Sequence, residues 1–517
     1  MKRVATLGCL IALALGAWSI DAHGQTVANP RRVVEQVREF RLANEHRIVS
    51  ELVELLVIPN VAADLPNIQR NAARLQQMLE RRGFRVQLLP MPNRGPVVYA
   101  ELSTPGAKRT ILFYAHYDGQ PVDPTEWTGT QPWEPALRTN AIHKGGTLIP
   151  FPAPATPYQD DWRIFARSAS DDKSPIVAIL TALDALHANS IPLAGNIKLV
   201  LDPEEEDGSP NLEKVLNQHR ALLAGDVLIS ADGPVHQTGR PQIVFGNRGM
   251  VDMEITVFGP YRSLHSGHYG NWTPNPAMRL AQLLATMKDA GGRVLVEGFY
   301  DDVVPLNDIE RSAIAEMPAN EPDLLREQGI TDPEGGGKRL PEMITLPSLN
   351  VRGIESGRVG AQSRTIIPDK AVASIDLRLV KNIDPRRQFE RVVAHIRKQG
   401  YYVVDRDPTA EERAKYPRIA KVVMNDGYPA ARVPMDHPAA LATVRIVEAG
   451  LGEPVVKLPT SGGSAPMYIF ERLGLPVIHV PTVNHDNNQH SPNENLRLGT
   501  FWRAIEIFGI LLAELRW

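Results

Sequence analysis

Residues 110–115, Thr-Ile-Leu-Phe-Tyr-Ala, constrain the chain more than any other stretch. Six uncharged residues, rich in β-branched and aromatic side chains, predict a strand buried on both faces. The strand runs into His116-Tyr117-Asp118, and Gly119 and Pro121 then stop it. A His and an Asp two residues apart at the end of a buried strand stand where α/β sheets place their ligands. Neutral imidazole is a common metal ligand, and a nearby carboxylate can accept the other ring N–H and fix the tautomer. Taken alone, a strand-end His bonded to solvent or backbone explains the motif equally well.

Other strand and helix ends decide the matter. Ala169-Ser170-Asp171-Asp172-Lys173 leads into an apolar helix over 176–188, where helix capping is the ordinary use of an Asp. The strand 196–201 runs directly into Asp202-Pro203-Glu204-Glu205-Glu206-Asp207. Crowding carboxylates at the end of a buried strand is costly unless a cation neutralises them. The strand 226–230 ends in Ala231-Asp232-Gly233, and the strand 476–481 precedes His490, with His485 as its rival. Successive apolar elements therefore deliver His116, Asp171, Glu205 with Glu206, Asp232 and His490, which points to a metal centre.

Composition bounds the alternatives. The chain has 517 residues, 43% hydrophobic and 22% charged, with a net charge of −3. That length predicts two domains or one with a large insertion, and the charge balance gives no sign of a nucleic-acid or membrane-surface partner. Met1-Lys2-Arg3, the apolar run 4–17 and Ala22-His23-Gly24 have the form of a signal peptide over residues 1–24, placing the mature protein in the periplasm or outside the cell. The single cysteine, Cys9, lies inside it, so a mature chain from Gln25 has no thiol for disulfides or metal. Any metal must be held by His and carboxylate.

Helical spacing over 31–57 and 68–82 alternates with strands at 84–89, 97–102 and 110–115, the pattern of an α/β sheet. Residues 121–161 read as a long irregular connection, with an insertion over 143–161 able to wall a pocket. From 246 the pattern becomes strand 250–258, helix 276–289, strands 348–354 and 370–380, helix 386–398 and a last strand 401–405. That order is ferredoxin-like. Within it, 297–342 reads as loop with a short helix. Residues 25–245 and 426–517 form the two parts of the α/β domain, and 246–425 an inserted lid.

Two His and three carboxylates suit a pair of borderline divalent ions, most naturally Zn²⁺, with Mn²⁺ or Co²⁺ as substitutes. A bridging carboxylate can hold two such ions ~3.5–4 Å apart around a water, and an unligated neighbouring Glu can take that water's proton. The motifs 116–121, 169–173, 205–209, 230–232 and 488–494 resemble, in order, those of the M20 family of zinc peptidases, nearest to carnosinase-like dipeptidases and succinyl-diaminopimelate desuccinylases. The resemblance implies that His116 and Asp232 hold one zinc, Glu206 and His490 the other, and that Asp171 bridges them. Glu205 would be the general base, Asp118 would orient His116, and Glu204 would stand aside.

In the lid, the resemblance implies that His265 crosses a homodimer interface to stabilise the oxyanion. Thr365, Arg378, His437, Gly463 and Ser464 would contact the substrate, Arg378 gripping its carboxylate. Ala166-Arg167-Ser168 stands where the family shows Gly-Arg-Gly, and Ser174 replaces another usual glycine. The expected substrate is a dipeptide or short peptide. N-acyl amino acids are the alternative, and a non-catalytic, metal-stabilised binding protein would need a ligand or the base to be missing.

Overall fold

The computed structural model describes residues 29–154 and 156–517. The expected signal peptide, residues 1–24 with Cys9, lies outside the described residues. Among the described residues no helix is long and apolar enough to cross a membrane.

The stretch that most constrains the sequence becomes the strand Thr110–His116, at the centre of an eight-stranded mixed sheet. It pairs in parallel with Asn196–Asp202 on one side and Val227–Ser230 on the other, and Val477–His479 extends the parallel set. Ile111 to Ala115 are fully buried, as a strand covered on both faces must be. On one face lie the helices Pro30–Leu56, Leu65–Glu80, Lys173–Ala188, Pro438–Leu451 and Leu498–Glu514, whose apolar stripes share one core. Leu212–Gln218 and Met467–Arg472 cover the other face. This three-layer order aims the carboxyl ends of four parallel strands at one edge, where the loops carrying the acidic residues and His490 emerge.

A small antiparallel sheet replaces much of the connection read as irregular. Ala136–Arg138 pairs with Leu148–Ile149 and with Arg163–Phe165, which in turn pairs with Asn495–Arg497. Strands of two or three residues fall below the length at which a period of two can be read from sequence. The pairing of Phe165 with Asn495 brings the loop after 165 against the loop before 495, so Asp171 and His490 meet across it.

The second sheet has the order Ser348–Glu355, Lys370–Leu379, Gly249–Phe258, Ile419–Tyr428, Tyr402–Val404. Gly249–Phe258 alternates buried and part-exposed residues, its inner face packing on the helices Pro276–Ala285 and Pro385–Lys398. The arrangement is ferredoxin-like, with one correction. The strand beside Gly249–Phe258 is Ile419–Tyr428, ten residues that polar Lys421, Asn425 and Asp426 conceal, whereas Tyr402–Val404 adds a short parallel edge. The segment 297–342 is also more ordered than loop with one short helix, holding Asp308–Glu316 and Glu321–Gln328 and the start of Leu340–Ile344. Two crossing strands, Gly246–Asn247 and Ala431–Arg432, pair where the chain leaves and re-enters the larger sheet.

Candidate metal and catalytic site

His116 ends its strand fully buried, and its Nε2 lies 2.9 Å from Asp171 Oδ1. The other oxygen of Asp171 faces the opposite way, 3.1 Å from His490 Nε2. That same His490 nitrogen is 3.1 Å from Glu206 Oε2. One carboxylate thus presents an oxygen to each of two groups. His116, Asp171 and Asp232 offer ligand atoms all within 4.8 Å of one another, and so do Asp171, Glu206 and His490. Two nitrogen-and-oxygen triads sharing one carboxylate, with no thiolate, fit a pair of borderline divalent cations. His485 belongs to neither triad.

Asp171 and Asp172 stand at the start of Lys173–Ala188, yet neither caps it through its side chain. Asp172 Oδ2 accepts instead from the His116 amide at 3.3 Å. The register of the acidic run follows from what each side chain touches. Glu204 is buried and accepts from the Asn211 amide at 2.7 Å and its Nδ2 at 3.0 Å, which commits it to the turn. Glu206 accepts from Gln120 Nε2 at 2.8 Å, and it lines a cleft of about 300 Å³ together with Glu205 and His490. Asp118 receives the amides of Glu205 and Glu206, each at 3.1 Å, and its Oδ1 lies 3.3 Å from His116 Nδ1. That last separation is an ion-pair distance rather than an aligned hydrogen bond, and Nδ1 is left buried without a hydrogen-bond partner.

The electrostatics show what the cluster asks for. Burial, aided by Asp232, Glu206 and Asp118, pushes Glu205 well above the usual carboxylate range. Burial and then Asp171 raise Asp232 to about 7, and burial raises Asp118 to about 6. Burial also works against a charge on Asp171, but hydrogen bonds from His116 and His490 hold it below the usual range. His490 is raised to about 10, chiefly by its bonds to Asp171 and Glu206. Carboxylates that resist ionising together, beside imidazoles pulled toward the cation, are stabilised as a set by divalent positive charge.

Glu494 is the residue whose role the sequence does not disclose. Fully buried, it accepts from the amides of Ser168, Ser170 and Asp171, each at 2.9 Å, and from Arg167 Nη1 at 2.8 Å. It therefore clamps the Asp171 loop to the loop that carries His490. A Glu four residues after a ligand looks ordinary in sequence, and only the strand pairing of Phe165 with Asn495 gives it these partners. Ser168, where the family shows glycine, adopts φ 61°, and its Oγ accepts from Asn60 Nδ2 at 2.9 Å. The side-chain bond anchors a residue in the left-handed region that glycine would enter freely.

Among the expected substrate contacts, the structure joins Arg378 to Ser464. Nη1 of Arg378 donates to Ser464 Oγ at 3.0 Å while Nε donates to Asp376 at 3.1 Å. Arg248, unremarked in the sequence, is buried nearby and donates its backbone N–H to Gly463 O at 3.0 Å. Burial and then Arg378 lower its pKa to about 10. Tyr428 and Tyr468, stacked at 5.7 Å, line the Glu205 cleft with Ser464. Nothing in the sequence marks Tyr428, which ends a strand whose polar residues obscure its period.

His437 is not brought to this group. Its Nδ1 accepts from the Ala439 amide at the start of Pro438–Leu451, and the ring lines a separate cavity. A His directly before a helix-initiating Pro is drawn into capping. His265, ending the short strand Leu264–His265, and Thr365, just before its partner Ile366–Ile367, are exposed, and neither lines the cavities that touch the metal triads. No described residue of the insertion 143–161 lines those cavities either. Its Tyr158 packs between His46, Trp162 and Trp502 on the helical side.

The model of peptidase family M20/M25/M40 matches residues 112–514. The Cys-Gly metallodipeptidase of Candida albicans is 26% identical, covering 90% of this chain and 93% of its own. The human Beta-Ala-His dipeptidase is 24% identical, covering 94% and 93%. Among solved structures, an M20 family metallo-carboxypeptidase from Sulfolobus solfataricus superposes with a TM-score of 0.74 at 31% identity, covering 90% of this chain and 98% of that one.

Removing Glu494 orphans a buried guanidinium and three amides at once. Glu494→Ala is expected to destabilise the fold by about 3–5 kcal/mol, measured as a lowered urea midpoint, with Glu494→Gln costing less because it keeps an acceptor.

Proposed function

The chain belongs to peptidase family M20/M25/M40, and on that premise we propose that it hydrolyses the amide bond of dipeptides or short peptides, using two divalent ions, most naturally Zn²⁺, and Glu205 as general base. The observation that carries this reading is Asp171, one oxygen toward His116 and the other toward His490, shared between two triads. His116 and Asp232 would hold one ion, Glu206 and His490 the other, and Asp171 both. Ions bound there polarise the amide carbonyl and ease deprotonation of the attacking water.

The residues do the rest. Glu205, beside Glu206 in the cleft and not engaged with the turn as Glu204 is, takes a proton from the attacking water. As water oxygen bonds the carbonyl carbon and the C–N bond breaks, the same carboxyl returns the proton to the departing nitrogen. Asp118 fixes the backbone of Glu205 and Glu206 and lies beside His116. Arg378 and Ser464, already in contact, hold the free carboxylate of the substrate with a guanidinium fork and a hydroxyl. The relatives from Candida albicans and human, a Cys-Gly metallodipeptidase and a Beta-Ala-His dipeptidase, support a dipeptide over an N-acyl amino acid.

Glu205→Gln is expected to lower kcat on a dipeptide panel by roughly 10²–10⁴-fold while the variant keeps the metal content of the parent. Chelation of the parent should abolish turnover and added Zn²⁺ restore it. Parallel loss of metal and activity in Glu205→Gln would reassign it as a ligand.

The lid loop bearing His265 is exposed and lies away from the triads of its own chain, which supports a homodimer in which His265 serves the partner's site. Light scattering should give twice the chain mass, and mixing inactive Glu205→Gln with inactive His265→Ala protomers should recover part of the activity. No recovery from a confirmed mixed dimer would count against the crossing. A periplasmic or secreted address follows from residues 1–24, and Gln25 is the amino terminus that sequencing of the exported protein should find.

A further inference from the structure

A second cavity, of about 360 Å³, opens on the other side of Ser464 from the Glu205 cleft. It touches Asp232 at one end and the Gly462-Gly463-Ser464 turn at the other, so it adjoins both a metal triad and the proposed carboxylate anchor. Its walls come from both parts of the molecule. Val244 and Leu458 stand on two strands at the edge of the larger sheet, and Leu340 and Ile344 on the short helix Leu340–Ile344. Ile344 closes against the turn: a Cβ placed on Gly462 would meet its Cδ1 at 3.6 Å.

The lining is selective in charge. No Lys or Arg among the described residues faces the cavity, and beyond Asp232 the one carboxylate is Glu321, tied to Arg339 at 2.9 Å. Gln237 and Asn320 bond each other. His479, buried with Nε2 unpartnered, is lowered to about 4 by burial and stays neutral. An anionic side chain entering here would lose its hydration and find no cationic partner, and a cationic one would meet only Asp232, assigned to a metal triad, and Glu321, already paired with Arg339, whereas an apolar one exchanges water for apolar wall.

Resting on the peptidase reading above, we propose that this cavity receives a large uncharged side chain of the substrate, aromatic or long aliphatic. Its 360 Å³ is toward the small end of ligand pockets, which run ~300–1,000 Å³, and suits one side chain rather than an extended peptide. Cleavage of dipeptides with such a residue at the matching position exceeds that of their glycine and charged counterparts.

The test measures kcat/KM of the zinc-loaded mature enzyme on Gly-Gly, Phe-Gly, Gly-Phe, Lys-Gly, Gly-Lys, Glu-Gly and Gly-Glu. At one of the two positions Phe should exceed Gly by roughly tenfold or more, with Lys and Glu below Phe. Leu340, 44% exposed, accepts a charged replacement without burying it. Leu340→Arg should lower the Phe:Gly ratio and raise the Glu:Gly ratio at that position, a gain that mere unfolding would not produce. Gly-Gly turnover with equal rates for all side chains, or ratios unmoved by Leu340→Arg, would overturn the inference and leave the peptidase reading standing. No turnover of any dipeptide by a metal-loaded enzyme would remove that reading and the inference with it.

Discussion

Asp171 is the constraint on which the rest of the site depends. Its two oxygens face His116 and His490 from opposite sides, and a buried carboxylate can hold that position only if its backbone is fixed and its charge matched. Glu494 supplies the first condition through three amides and Arg167. The second is met in part by the two imidazoles, while burial and their mutual repulsion hold Glu205 and Asp232 above the usual carboxylate range. Five carboxyl groups, Asp118 among them, stand around this point, and the proposed divalent pair would offset their charge once they ionise.

The architecture follows from delivering these groups. Parallel strands end together, so a sheet whose carboxyl ends carry His116, Glu205 with Glu206, and Asp232 gathers them without long loops. His490 comes from much farther along the chain and needs a separate device, the small antiparallel sheet that lays Asn495 against Phe165. The lid contributes Arg378 to Ser464 across the boundary between the two sheets, beside the crossing strands Gly246–Asn247 and Ala431–Arg432. The Arg378–Ser464 contact, the proposed carboxylate anchor, is therefore tied to the relative position of the two sheets.

Much of this was legible in the sequence, for a physical reason. A strand buried on both faces, such as Thr110–His116, is apolar up to its end, and Asn196–Asp202 is so over Leu199 to Leu201, so a carboxylate or His at the end stands out. Less was visible where side chains alternate or elements are short. Ile419–Tyr428 hid behind its polar face, and the two- and three-residue strands between 136 and 165 carried no period at all. Glu494 was invisible as a clamp because its partners lie more than three hundred residues away. His437 stands directly before Pro438, where a His serves equally as a helix cap, and its Nδ1 is spent there.

Anomalous diffraction at the zinc edge, from crystals of the mature protein grown with Zn²⁺, tests the central claim most directly. Two peaks about 3.5–4 Å apart on either side of the Asp171 carboxylate, one beside His116 and Asp232 and the other beside Glu206 and His490, are the expected result. A single peak at one triad, or density away from Asp171, would contradict a bridging carboxylate and with it the two-ion site.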